Sequence, residues 1–107
     1  MNSISTHVLN TAVGRPAAGI PVTLELHAAS TQTWLVIGHA ETDADGRVRE
    51  FVASEIRPGM YRLRFDTSAV SLFFSEVLVQ FNVMDGPGHY HIPLLLSPFA
   101  YSTYRGS

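Results

Sequence analysis

The sequence predicts an all-β protein, a small antiparallel sandwich spanning residues 1–107 as one domain. Apolar and polar side chains alternate with a period of two along several runs, the signature of half-buried strands. Clusters of Gly, Pro and Asp separate those runs, and no stretch carries the 3.6-residue periodicity of a long amphipathic helix.

Residues 4–9 read as the first strand, closed by Gly14-Arg15-Pro16. Val22-Thr23-Leu24-Glu25-Leu26-His27 alternates cleanly, and residues 34–40 are a further candidate strand. Asp43-Ala44-Asp45-Gly46 is a tight turn that delivers Arg47 to the start of a strand. Arg57-Pro58-Gly59 precedes the alternating Tyr61-Arg62-Leu63-Arg64-Phe65. Residues 54–56 and 66–70 hold at most a turn or two of helix. Val77, Val79, Phe81 and Val83 share one strand face, although Leu78 puts an apolar group on the other. Asp85-Gly86-Pro87-Gly88 then turns the chain into residues 91–96, and residues 100–105 form the last strand. The total is about seven strands, the number of a small sandwich.

Hydrophobic residues make up 46% of the chain and charged residues 15%. An ordinary soluble domain carries about 25% charge, so part of this surface is expected to face another subunit. The formal charge of −2 and the scattered cations provide no basic field for nucleic acid or an anionic membrane. All seven cations are Arg, which removes Schiff-base chemistry and leaves planar donors suited to oxygen-rich groups. Without Cys there is no thiol catalysis, disulfide or Cys-ligated metal. No stretch approaches the ~20 apolar residues of a membrane span, and Met1-Asn2-Ser3-Ile4-Ser5-Thr6 lacks the pattern of a signal peptide; the cytoplasm is the expected compartment.

Several residues bear on chemistry. On a strand, His89 and His91 point to one face, where they form half a metal site, an acid–base pair or two ordinary surface histidines. His7 alternates with Val8 and, taken alone, reads as a hydrogen-bonded edge histidine sooner than as a catalyst. Arg47 reads as a solvated arginine beside two acids after a tight turn; a Ca²⁺ loop lacks the remaining acidic positions and the closing Glu. The chain finishes on Tyr104-Arg105-Gly106-Ser107, an uncommon end for a chain whose last apolar run is Leu94-Leu95-Leu96. No Gly-x-Ser-x-Gly elbow selects a nucleophilic serine.

The segments Ile4-Ser5-Thr6-His7-Val8-Leu9-Asn10-Thr11-Ala12, Thr42-Asp43-Ala44-Asp45-Gly46-Arg47, His89-Tyr90-His91-Ile92-Pro93-Leu94-Leu95-Leu96-Ser97-Pro98 and Tyr101-Ser102-Thr103-Tyr104-Arg105-Gly106-Ser107 together resemble the 5-hydroxyisourate hydrolases, the transthyretin-related enzymes of urate breakdown. The resemblance implies a transthyretin-like sandwich of two four-stranded antiparallel sheets with at most one short helix, after Asp66. It implies a homotetramer with its sites at the dimer–dimer interface and no cofactor. It also implies a reaction, hydrolysis of 5-hydroxyisourate to 2-oxo-4-hydroxy-4-carboxy-5-ureidoimidazoline. By position, His7, Arg47, His91 and Ser107 match the family's catalytic residues, and His7, Arg47, Tyr104, Arg105 and Gly106 its substrate-binding ones. Asn10, Ser75 and Phe99-Ala100 depart from the common pattern, and the connection after Asp66 is shorter than usual. Two alternatives remain open: a small-ligand carrier on the same fold, and a zinc hydrolase using His7, His89 and His91.

Overall fold

Nine strands, arranged in two sheets, make up the computed structural model, which describes residues 2–106. In chain order they are β1 (Asn2–Asn10), β2 (Arg15–Pro16), β3 (Pro21–Ala28), β4 (Thr33–Glu41), β5 (Arg47–Val48), β6 (Gly59–Asp66), β7 (Glu76–Val83), β8 (Gly88–Ser97) and β9 (Ala100–Thr103). Each of the seven runs read from alternation and turn signals is a strand. The two additions, β2 and β5, are only two residues long, too short to display any period.

One sheet has the order β4-β3-β6-β7 and is antiparallel throughout. The other has five strands, β2-β1-β8-β9 with β5 also on β1. Two features correct the expected pair of four-stranded antiparallel sheets. The free edge of β1 is shared, with β2 against Leu9 and Asn10 and β5 against Thr6 and His7. And β1 runs parallel to β8, in register from Asn2 opposite Gly88 to Asn10 opposite Leu96. Turn signals reveal direction only for strands joined by a hairpin, and most of the chain lies between these two.

The inward faces close over one another. Val22 and Leu24 of β3, Leu63 and Phe65 of β6 and Val77 of β7 meet Ile4 and Val8 of β1 and Ile92 and Leu94 of β8, all buried. The strands keep their period because each inward residue removes apolar area from water, at about 25 cal/mol per Å². Among the described residues there is no helix. In the connection after Asp66, the Ser71 N–H donates to the Thr67 carbonyl at 2.9 Å, a single turn that goes no further. The buried Thr67 hydroxyl donates to the Phe74 carbonyl and fastens that loop. No helix of the described residues is long and apolar enough to cross a membrane.

The outward face of the four-stranded sheet holds Glu25, only 5% exposed, with one carboxylate oxygen 2.6 Å from Arg62 Nε and the other 3.4 Å from Arg64 Nη2. The Arg62 guanidinium also lies over the Trp34 ring, 4.2 Å from its centroid. Glu25→Ala strips a buried partner from Arg62 and is expected to destabilise the fold by about 1–3 kcal/mol in urea titration, with most of the effect from the less exposed Arg62 pair. A change below about 0.5 kcal/mol would mean that this ion pair contributes nothing net.

Candidate active site

The site lies on the opposite, outward face of the molecule, on the five-stranded sheet. Because β1 and β8 are parallel, Ser3 stands beside His89 and Ser5 beside His91. Period two keeps all four side chains, with His7, on the same face. The antiparallel pairing of β5 sets Arg47 beside His7. After β9 the chain turns back: the Gly106 N–H donates to the His91 carbonyl at 2.7 Å in an antiparallel bridge. A cavity of about 480 Å³ results, with Ser5, Arg47, His89, His91, Tyr104 and Gly106 in its wall.

Local chemistry explains how each part is held. Asp43 accepts from the N–H groups of Asp45 at 2.9 Å and Arg47 at 3.0 Å, the Asx arrangement that the Asp-x-Asp-Gly spacing encodes. The Arg47 N–H bond holds the exposed Asp43 carboxyl below its ordinary range. Gly46 is required in the same turn, since its φ is +76° and a Cβ there would lie 2.5 Å from the Val8 carbonyl oxygen. Gly106 is required in the tail for space alone: a Cβ would lie 2.7 Å from His91 Cδ2. The final Gly of the chain thus lets the tail lie flat against the imidazole.

The histidines differ in their surroundings. His7 Nε2 lies 2.8 Å from the Asp45 carbonyl oxygen, so Nε2 carries a proton, and Nδ1 has no hydrogen-bond partner among the described residues. Half-buried His91 turns Nδ1 to the Ser5 hydroxyl at 2.8 Å, and its Nε2 has no hydrogen-bond partner among the described residues. Burial, first, and then the charges of Arg47, His89 and His7 hold the His91 pKa below its ordinary 6.5. The His89 and His91 rings are nearly parallel, 6.3 Å apart.

Of the residues singled out in the sequence, Arg47, His91, Tyr104 and Gly106 meet in the cavity, and His7 stands beside Arg47 without lining it. Arg105 is turned away: its guanidinium lies 4.3 Å over the Tyr90 ring and 3.4 Å from the His89 carbonyl oxygen, in a second, apolar cavity of about 210 Å³. Ser107 lies outside the described residues. Among those residues no group of three His, Asp or Glu side chains is disposed to hold a metal ion, as a zinc site would need. The sequence reading missed Ser3, Ser5 and Arg49, which also lines the cavity. Period two from His7 marks Ser3 and Ser5 as its neighbours, but only the β1–β8 register reveals what they face.

A family model described as the HIUase/Transthyretin family matches residues 4–106. The 5-hydroxyisourate hydrolase of Caulobacter vibrioides is 38% identical, over 100% of both chains. The chain is also 40% identical, over 97% of its length, to the uric acid degradation bifunctional protein TTL of Arabidopsis thaliana, and spans 37% of that longer protein. Among solved structures, 5-hydroxyisourate hydrolase of Klebsiella pneumoniae has a TM-score of 0.83 at 31% identity, covering 98% of this chain and 99% of that one. Transthyretin from Sparus aurata has a TM-score of 0.89 at 29% identity, covering 97% and 96%. The sandwich is transthyretin-like.

Two ring titrations test the electrostatics. By NMR, His91 is expected to titrate below 6.5, and Arg47→Gln to raise its value by removing one of the charges that oppose protonation. Because the folded value lies below the unfolded one, the unfolded chain binds the extra proton first, so stability falls as pH drops through about 6.5. A His91 value at or above 6.5 would contradict the burial that the fold imposes on it.

Proposed function

The chain belongs to the HIUase/Transthyretin family, and from that premise we propose that it is a 5-hydroxyisourate hydrolase of urate breakdown. Water adds to C6 of the substrate ring, the N1–C6 amide bond opens, and 2-oxo-4-hydroxy-4-carboxy-5-ureidoimidazoline leaves. One observation carries the reading: Arg47 and His91 share a cavity whose wall includes Tyr104 and Gly106 of the C-terminal tail.

The roles follow from the chemistry of each group. His91, held neutral near pH 7 by burial and by neighbouring cations, takes the proton of the attacking water. Arg47 never loses its charge, and its planar donors bind the ring oxygens and stabilise the negative charge that develops on the attacked carbonyl. His7, anchored to the Asp45 carbonyl, offers Nδ1 as an acceptor at the cavity's edge. Tyr104 orients the ring by hydrogen bonding. Gly106 acts through the space it leaves for His91. The role of Ser107 rests on the resemblance of the tail alone.

The chain works as one catalytic domain within a homotetramer, with the cavities between dimers. Phe99, 80% exposed, supports an assembly, as do exposed Phe73 and Tyr101 in the same aromatic cluster. A carrier on the same scaffold is the competing reading, supported by the likeness to a transthyretin structure.

Ultraviolet decay of 5-hydroxyisourate, generated freshly from urate, is expected to accelerate over the spontaneous rate in proportion to added protein. Superimposed traces, together with saturable binding of an aromatic ligand, would favour the carrier. Arg47→Ala is expected to lower kcat/KM about 100-fold, and His91→Asn by about 10²- to 10⁴-fold, with unchanged circular dichroism. The rate should decline as pH falls through the depressed His91 value, not at 6.5 or above. Gly106→Ala should cost at least about tenfold by displacing the His91 ring, since a misplaced catalytic group loses its orientation; a wild-type rate in that variant would remove the tail from the site.

A further inference from the structure

Beside the catalytic groups runs a continuous chain of polar atoms that those roles leave unused. Ser5 Oγ lies 2.8 Å from His91 Nδ1 and 3.0 Å from His89 Nε2. On the far side of His89, Nδ1 is 2.5 Å from Ser3 Oγ. Ser5 is only 7% exposed, whereas His89 and Ser3 are exposed, so the chain leads from the cavity to solvent. Among the described residues Ser5 Oγ has no third partner, so its one proton finds an acceptor only when Ser5 donates to one imidazole and accepts from the other. With neutral rings and the Ser5 proton so used, two polarities satisfy every contact. Either both rings carry their proton on Nδ1, or both carry it on Nε2.

We propose that Ser3, His89 and Ser5 form a proton relay that switches His91 between its base and acid forms. The proposal rests on the hydrolase reading for its substrate, and on the geometry alone for the chain.

The protons balance. In the first polarity His91 Nε2 is a lone pair and accepts a proton from water as the oxygen bonds to C6. The Nδ1 proton passes to Ser5 Oγ, the Ser5 proton passes to His89 Nε2, and His89 releases its Nδ1 proton toward Ser3 and solvent. The chain now has the second polarity, with His91 carrying a proton on Nε2. As the C6–N1 bond breaks, that proton goes to N1. Ser5 then returns a proton to His91 Nδ1, His89 refills Ser5, and solvent refills His89 Nδ1. One turnover therefore resets the chain with no net proton held. The new carboxyl, with an ordinary pKa of about 4, loses its own proton to water.

The relay lets His91 act twice without becoming a lasting imidazolium in a cationic pocket. Arg47 and Arg49 line that pocket, His7 stands beside Arg47, and Tyr104 is the remaining titratable group in the wall. Arg105 is turned onto Tyr90 and leaves His89 to exchange with solvent. Ser3, Ser5 and His89 are positioning groups, since the chemistry touches only His91.

Two measurements decide the matter. Long-range 1H–15N spectra of the ring nitrogens, without substrate, are expected to find the same neutral tautomer populations in His89 and His91. Opposite tautomers would break the chain and overturn the relay whatever the enzyme does. In turnover, Ser5→Ala is expected to lower kcat about 10- to 100-fold with KM within about twofold. It should also convert a curved proton inventory in mixed H2O and D2O into a straight line, and Ser5→Thr should restore the curvature. A merely structural serine would lower kcat without changing that shape, so a curve unchanged in Ser5→Ala overturns the relay. A wild-type protein that leaves 5-hydroxyisourate untouched, while its two rings share a tautomer, supports the relay and overturns the substrate reading instead.

Discussion

The pairing on which the rest depends is the parallel ladder between β1 and β8. It joins the first strand to one near the end of the chain, and every element of the site hangs from it. Ser3 and Ser5 face His89 and His91 only in this register, β5 reaches the site only by pairing with β1, and the tail bridges only to β8. A slip of one residue would send His91 and Ser5 inward and expose Ile92 and Ile4. The core forbids that slip, because Ile4, Val8, Ile92 and Leu94 are buried together. Hydrophobic burial on one face thus sets the hydrogen-bond geometry on the other.

The polar face so created is one-sided in charge. Among the described residues, the cavity wall contains Arg47, Arg49, His89 and His91 but no Asp or Glu. Such a pocket favours an oxygen-rich substrate and disfavours a further proton on His91, so binding and base strength have the same electrostatic cause. The two carboxylates that precede Arg47, Asp43 and Asp45, belong to the turn, where Asp43 accepts backbone N–H groups. The carboxylate that shapes the site spends its lone pairs on backbone and leaves the positive field intact.

How much of this could be read from residues alone follows from the range of each interaction. Alternation and turn chemistry are local, so the strands around Val22, Tyr61 and Val77 were legible, as was the turn that delivers Arg47. The i, i+2 relation of His89 and His91 was legible for the same reason. What lay across the fold was not: the direction of β8 against β1, the partners of Ser5, and the Tyr90 ring that holds Arg105 away from the cavity. The tail's end could be matched to a family by its letters. The spatial need for Gly106, by contrast, emerges only beside the His91 ring.

The two perturbed groups of the site, His91 and Asp43, also order its response to acid. Burial and cations depress the His91 value from 6.5, and backbone donors depress that of Asp43 from 3.8. Each favours the form that the folded site needs, a neutral imidazole and an ionised carboxylate. A proton on His91 removes the base, whereas a proton on Asp43 removes the acceptor that holds the turn and Arg47. Only below the ordinary carboxylate range, as pH falls through the depressed Asp43 value, does the turn lose its acceptor and Arg47 its anchor. Loss of the base and loss of the turn are therefore separate acid events, one at an imidazole and one at a carboxylate.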